Sequence, residues 1–402
     1  MAFNVIQSFQ NIAKEYKRYL KTVFDIADPD YKKMLHDSLE NDDNFEKGPF
    51  LDVINSFEKG KSVKELINEG ILDPDFLKLS LKDVTLYKHQ ENSLRQIEKG
   101  GNAIVTTGTG SGKTESFLIP IINELMKEKT EGTLTPGVRA LIIYPMNALA
   151  NDQIDRLRKL LEDYPYITFG AYTGQTKYTR EDALAQYKNL YANKEDTKLR
   201  NPLQNELISR EEMKEKPPHI LITNYAMLEF LLLRPEDSSF FDGYYSNHWK
   251  YIVLDEAHTY KASTGIETSL LIRRLKTRIG CLENEEKSKN KIQFILTSAT
   301  LGDEGSNSEI LKFATTLTDS RFDDSSIIRA IRIHRTNEKA KYKLGSSFYI
   351  EANQILTKGY ADELAIEKIS KIFPNLSNEK KNLSLFLFDA LNQDETFWQV
   401  KN

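Results

Sequence analysis

Thr107-Gly108-Thr109-Gly110-Ser111-Gly112-Lys113-Thr114 is the stretch that decides the fold of this 402-residue chain. In front of it, Asn102-Ala103-Ile104-Val105-Thr106 reads as a short buried strand. Behind it, residues 115–127 carry Phe117, Leu118, Ile121, Ile122, Leu125 and Met126 at helical spacing. A strand, a glycine loop and a helix together form the setting of a phosphate loop. Gly108, Gly110 and Gly112 let the backbone curl with its N–H groups inward, at the positive end of the following helix. In this reading Lys113 reaches the β- and γ-phosphates and the Thr114 hydroxyl holds Mg²⁺. Thr107 stands where many such loops begin with glycine. The implied ligand is a nucleoside triphosphate.

Composition narrows what surrounds the loop. Hydrophobic residues make up 40% and charged residues 28%, the balance of a globular protein. No apolar run approaches the ~18 residues that span a bilayer, and the first twenty residues lack a signal-peptide core. A cytoplasmic location without membrane contact is the expectation. Cys281 is the single cysteine, which excludes a disulfide framework and a Cys₄ zinc site. The six histidines have no metal-ligand spacing. A formal net charge of −4 provides no global basic field, but a groove that grips one strand needs only local Lys, Arg and backbone N–H groups.

Along the chain, residues 1–80 read as a helical region, with a turn at Asp28-Pro29-Asp30 and a capping box from Ser62 to Glu65. Gln90 follows, 23 residues before Lys113. Its amide both donates and accepts, so it can read the N6 donor and N7 acceptor of adenine, which points to ATP. Further strands end at Tyr144, Tyr172, Thr223, Leu254 and Leu296, and residues 177–218 read as a charged insertion projecting from the sheet. Strands alternating with helices, with functional residues at strand ends, predict an α/β fold with an open parallel sheet. Residues 302–402 read as a mixed, mostly helical accessory segment. Within it, residues 308–316 and 360–372 are helical, and 383–391 could be helix or strand.

Asp255-Glu256-Ala257-His258 closes an apolar strand. Asp255 is suited to hold Mg²⁺, directly or through water, and Glu256 to orient and deprotonate the attacking water. His258 is placed to respond to the γ-phosphate.

Gln90, the phosphate loop, Tyr144-Pro145-Met146-Asn147-Ala148-Leu149-Ala150-Asn151-Asp152-Gln153, Thr173-Gly174-Gln175-Thr176, Asp255-Glu256-Ala257-His258 and Ser298-Ala299-Thr300 occur in that order. The set resembles the first RecA-like lobe of a superfamily 2 DEAD/DEAH-box helicase, over residues 86–301. The wording at 145–153, 224–235 and 255–265 is similar to large bacterial antiphage-defence helicases of the Druantia and DISARM kind. The resemblance implies a RecA-like lobe over 81–301, helices on both faces of its sheet, and a helical region before it. It implies that Pro145, Asn147, Gln153, Thr173, Gly174, Thr223 and Asn224 face a nucleic-acid strand, DNA rather than RNA. Ser298 and Thr300 would couple nucleotide state to strand grip. Helix N-termini and Thr/Asn side chains suit a phosphate backbone and carry no base identity, so the grip is expected to be sequence-tolerant.

A motor of this type closes two lobes on ATP, with arginine fingers from the second. No Gln-x-x-Gly-Arg-x-x-Arg-like string stands in residues 302–402, so no cation is expected there for the far side of the γ-phosphate. The expectation is an N-terminal part of a longer protein, lacking the second lobe, that binds ATP weakly and hydrolyses it poorly. Defence-system partner proteins are expected with it. Two other readings stay open: the motor of a restriction-type nuclease, and a nucleotide-sensing module that unwinds nothing.

Overall fold

A computed structural model describes residues 5–41, 56–108, 110–191, 201–280, 291–299, 306–333, 343–358, 360–372 and 382–395. Thr109, Thr300, Cys281 and part of the charged insertion lie outside them. The chain divides into two compact units, Ser56–Ile333 and a second formed by Met1–Asn55 with His334–Asn402.

The second unit begins with α1 (Val5–Val23) and α2 (Pro29–Asn41). The expected turn lies between them, where the Asp28 carboxylate accepts from the Asp30 and Tyr31 N–H groups, and Pro29 opens the next helix.

The larger unit opens with β1 (Lys59–Ser62), a strand inside the stretch 1–80 that reads as a helical region. Ser62 then caps α3 (Val63–Asn68) through the expected capping box with Glu65. β2 (Thr85–Tyr87) pairs antiparallel with β1 and leads into α4 (Lys88–Glu98). β3 (Ala103–Thr106) enters the phosphate loop, and α5 (Lys113–Thr130) leaves it. Pro120 stands inside α5 and cannot donate to the Ser116 carbonyl. The Ser93 hydroxyl of α4 donates to that carbonyl instead, at 2.8 Å, which joins the two helices at the proline.

The rest of the unit alternates strands and helices. β4 (Ala140–Tyr144), α6 (Asn147–Leu161), β5 (Phe169–Ala171), α7 (Arg180–Tyr191), β6 (Glu206–Leu207) and α8 (Arg210–Glu215) come first. β7 (Ile220–Asn224), α9 (Tyr225–Leu233), β8 (Tyr251–Leu254), α10 (Ala262–Arg278), β9 (Gln293–Ser298), α11 (Asn307–Thr318) and β10 (Ile327–Arg329) follow.

Strands β3 to β10 form one parallel sheet in the order β10-β3-β9-β8-β4-β7-β5-β6. Each strand side chain faces the side opposite to its neighbours, so the central strands feed two cores. Ala140, Ile142 and Tyr144 pack with Phe117, Ile121 and Leu125 of α5. Leu141 and Ile143 pack on the other face with Leu228 of α9 and Leu271, Ile272 and Leu275 of α10. This is the predicted RecA-like sheet with helices on both faces.

The sheet also takes in two strands that the sequence did not announce. β10 pairs with β3 at Ile327↔Ile104 and Arg329↔Thr106, and β6 extends the opposite edge beside β5. The charged insertion thus contributes a strand to the sheet as well as helices. Glu206 of β6 anchors it through Arg158 of α6, and both side chains are buried.

The second unit resumes with α12 (Ser346–Thr357), α13 (Asp362–Ile372) and α14 (Leu383–Asn392). Phe348, Ile366, Ile369 and Phe386 form their core, so the ambiguous run at 383–391 is a helix.

Candidate nucleotide and nucleic-acid site

The carboxyl ends of the strands divide the site in two. β3, β9 and β8 are consecutive neighbours and lead to the phosphate loop, Ser298-Ala299, and Asp255-Glu256. β4, β7 and β5 come next and lead to Pro145, Asn224 and Thr173.

Gly110 and Gly112 take left-handed φ angles of 76° and 75°, which side-chain-bearing residues rarely adopt. Gly112 has a second constraint: a Cβ there would stand 2.4 Å from Gln90 Nε2. The Gln90 amide donates to the Gly112 carbonyl at 2.9 Å, while its oxygen accepts the Tyr87 N–H at 2.8 Å. Each end keeps a second hydrogen-bonding direction for a base. Next to it, His89 Nε2 donates to the Ser111 carbonyl at 2.9 Å. Burial lowers the His89 pKa and keeps the ring neutral, with the Ser111 bond opposing. Thr107 fills its unusual position by pairing its hydroxyl with that of Ser111 at 2.6 Å, a contact glycine could not make.

Lys113 Nζ lies 3.1 Å from Glu256 Oε1, and neither side chain is more than a quarter exposed. Glu256 holds a left-handed backbone, φ 48° and ψ 47°, a strained conformation for a residue with a Cβ. Asp255 is buried and accepts from the Thr297 hydroxyl and, at 2.9 Å, from the Glu256 N–H. Burial raises its pKa, against the lowering effect of those two bonds. His258 Nδ1 lies 3.1 Å from Ser298 Oγ and 3.4 Å from Glu256 Oε2. The Ser298 carbonyl in turn accepts the Thr107 N–H at 3.1 Å. Ser298 therefore touches both the phosphate loop and His258.

On the other half, Asn224 Nδ2 donates to Asn147 Oδ1 at 2.6 Å, and Asn224 Oδ1 caps α9 through the Met227 N–H. Gly174 is exposed and has open space around it. Thr173 is buried; its hydroxyl accepts the Gln175 N–H and its own N–H donates to Thr176 Oγ1. Pro145 is half-buried, and Gln153 carries a buried side-chain oxygen without a partner among the described residues. Thr223 departs from the expectation. It is fully buried and its hydroxyl donates to the Tyr172 carbonyl, so it fixes the β7 end and does not face outward.

Sequence reading missed His89, Ser93 and Thr297, which act on the site only through contacts in space. It also missed Arg332, whose Nη2 stands 3.5 Å from where a Cβ on Gly108 would be. Arg332 follows β10, and the return of the chain past that strand brings its guanidinium beside the loop. Cavity size does not mark the site. A cleft of about 1590 Å³ opens at the opposite, amino ends of the strands, among Glu98, Glu128, Arg139, Lys250 and Gln293.

A DEAD/DEAH box helicase family model matches residues 87–307, more than half of the chain. The chain belongs to the DEAD/DEAH box helicase family. Among curated relatives of this chain, the Druantia protein DruE of Escherichia coli is 29% identical over 379 residues, covering 73% of this chain and 20% of that protein. An uncharacterized ATP-dependent helicase, YprA of Bacillus subtilis, is 30% identical over 217 residues, covering 54% of this chain and 23% of that protein. The chain thus spans about a fifth of the length of these curated relatives. Among solved structures, the DUF1998 helicase MrfA bound to DNA superposes with a TM-score of 0.48 at 20% identity, over 80% of this chain and 38% of that one. The DEAD-box helicase Mss116 bound to ssRNA and UDP-BeF gives 0.47 at 19% identity, over 77% and 55%.

The residues present fit Mg²⁺ and a triphosphate. Among the described residues no cluster of His, Cys, Asp or Glu could cage a metal ion unaided. One buried carboxylate and one hydroxyl, Asp255 and Thr114, match Mg²⁺, which takes few protein ligands and completes its shell with water and phosphate. Gly110 and Gly112 shape a cradle that side chains would strain, and Lys113 stands at its helix end.

Proposed function

We propose that this chain is the first RecA-like lobe, residues 81–301, of an ATP-dependent DNA helicase or translocase. The single observation that carries the reading is the Lys113–Glu256 pair at 3.1 Å, set between the glycine loop and the Thr297-held Asp255. An ammonium for phosphates, a carboxylate for Mg²⁺ and a second carboxylate for water thereby meet at one point.

In this proposal the backbone N–H groups from Gly108 to Thr114 and the Lys113 ammonium bind the β- and γ-phosphates, and Gln90 reads adenine. Thr114 and Asp255 hold Mg²⁺, which when bound neutralises charge on the phosphate oxygens. Glu256 orients the attacking water and takes its proton. His258 and Ser298 carry the state of the site to the adjoining strand ends. There Asn147, Gln153, Thr173, Gly174 and Asn224, with the α6 and α9 N-termini, grip a nucleic-acid backbone without reading its sequence. DNA is preferred to RNA.

A second lobe is required for brisk turnover, because an opposing arginine accounts for about 10³ to 10⁵ in rate where it has been measured. Similarity to DruE supports a role in antiphage defence, with defence-system partner proteins, in the cytoplasm. Among the described residues no helix is long and apolar enough to cross a membrane.

Calorimetric titration with Mg²⁺ and the non-hydrolysable triphosphate AMPPNP tests the reading. Lys113→Ala is expected to abolish binding or weaken it severely, because its ammonium is the main side-chain counter-charge to the phosphates. Affinity equal to that of the parent would overturn the nucleotide assignment.

A further inference from the structure

Residues 56–58 and 331–333 lie side by side as an antiparallel strap. Glu58 N donates to the Ile331 carbonyl at 2.8 Å, and Ile333 N to the Ser56 carbonyl at 2.9 Å. The strap is tied to α4, because Lys88 N donates to the Glu58 carbonyl at 2.9 Å. Phe57 anchors it from below. Its ring meets Tyr87 and His89 edge-on, with centroids 5.6 and 5.7 Å away. Tyr87 and His89 stack on each other, and His89 bonds the phosphate loop at Ser111.

Arg332 rides on this aromatic platform. Its guanidinium carbon lies 5.6 Å from the Phe57 ring centre, while Nη2 stands 3.5 Å from where a Cβ on Gly108 of the loop would be. Phe57 is buried and Arg332 is exposed. Among the described residues no carboxylate pairs with Arg332 and no hydrogen bond engages it, in contrast to Lys113, which is paired with Glu256. A cation held over a ring loses less freedom when it binds than one on a free stem, and the planar fork of arginine matches a phosphate.

We propose that Arg332 is a nucleotide-contacting guanidinium, supplied by this chain itself to the terminal phosphate of a bound nucleoside triphosphate. This rests on the proposed nucleotide site. Lys113 approaches the loop from its helix end, and Arg332 stands over its strand end at the mouth of the cradle. The terminal phosphate carries the largest share of the triphosphate's charge, so an exposed cation at that mouth is drawn to it most strongly. Arg332 therefore separates triphosphate from diphosphate.

Titrations of the whole chain with Mg²⁺ and either AMPPNP or ADP test this, using Arg332→Gln, Arg332→Lys and Lys113→Ala beside the parent. Arg332→Gln is expected to weaken AMPPNP about tenfold and ADP less than about twofold, the loss of one charge-assisted contact. Arg332→Lys keeps the charge without the fork and is expected to lose about threefold for AMPPNP alone. Equal loss for both nucleotides, or no loss for either, would show that Arg332 only packs the strap and would overturn the proposal. If Arg332→Gln does not fold, Arg332→Lys decides by the same comparison. Lys113→Ala separates the two readings: normal binding by that variant removes the nucleotide site itself, whereas its failure beside an unchanged Arg332→Gln removes only the role of Arg332.

Discussion

Lys113 and Glu256 are joined by an ion pair of 3.1 Å although they follow strands β3 and β8, which are separated in the sheet by β9. The group suited to bind phosphate is therefore engaged by the group suited to orient water. In the proposed cycle the nucleotide displaces this pairing, and Lys113 exchanges a carboxylate for phosphate oxygens.

Glu256→Gln should release Lys113 while keeping the size of the side chain. The variant is expected to bind AMPPNP about two- to fivefold more tightly than the parent, the scale of a partly exposed ion pair. In a longer protein with its second lobe, the same change should collapse turnover, because the base is gone. Titration and steady-state phosphate release measure the two effects. Looser binding, or turnover within a few-fold of the parent, would show that Glu256 does not have this double role.

Gly110 and Gly112 share a left-handed backbone but have different surroundings. A Cβ at Gly110 meets nothing within 4 Å, whereas at Gly112 it would run into Gln90. Gly110→Ala should therefore cost only the backbone strain, about 1–2 kcal/mol of stability. Gly112→Ala adds the loss of the Gln90 bond and should reduce AMPPNP affinity by more than about tenfold. Parallel denaturation and titration curves check both, and equal behaviour of the two variants would contradict the role given to Gln90.

Arg158 and Glu206 form a buried bidentate pair, with contacts of 2.5 and 2.8 Å and side chains 3% exposed. The guanidinium also lies 4.5 and 4.3 Å from the Tyr187 and Tyr191 ring centres, so it fastens α7 as well as β6. Glu206→Ala leaves Arg158 buried without its main counter-charge and is expected to cost about 3–5 kcal/mol in urea denaturation. Arg158→Met with Glu206→Leu should be far milder, since no uncompensated charge remains.

His219 is neutral in the fold. Burial lowers its pKa to about 3, Arg139 assists, and the bond to the Thr135 carbonyl opposes. Nδ1 accepts the Thr168 N–H at 2.9 Å, so a proton there has no place. The unfolded chain takes up that proton near the ordinary value of about 6.5. The stability that neutral His219 contributes is thus fully present above pH 6.5 and is lost as pH falls from there towards 3. His219→Gln should flatten the acid side of the stability curve by up to about 1.4 kcal/mol per pH unit. Denaturation midpoints between pH 7 and 4 measure the slope, and an unchanged slope would refute the assignment.

Local patterns made much of this legible. Glycines at fixed spacing between an apolar run and a helical run announce the loop, because only those residues tolerate that backbone curl. Continuous apolar runs such as Ala140–Tyr144 announce strands buried on both faces. β6 and β10 could not be read in this way. Two or three residues carry no period, and their pairing is set by where the chain returns. The same limit hid β1, where a short strand is fixed by its pairing with β2 and not by its own pattern. At the site, Lys113, Asp255 and Glu256 could be named as candidates because their chemistry travels with a local motif. The inward turn of Thr223 could not be read, because a polar side chain at a strand end does not reveal whether it faces outward or inward.

The sequence by itself determined the glycine loop, the order of the motifs, the parallel sheet and the family, since each of these is a property of short contiguous segments. Only the tertiary structure decided which segments meet. Folding put β9 between β3 and β8, so Ser298 touches both Thr107 and His258. It turned Thr223 inward, set Gln90 against the Gly112 carbonyl and returned residue 332 to the loop it had left over two hundred residues earlier. These contacts depend on sheet order, and sheet order is fixed by how two cores are filled at once, not by any single stretch of chain.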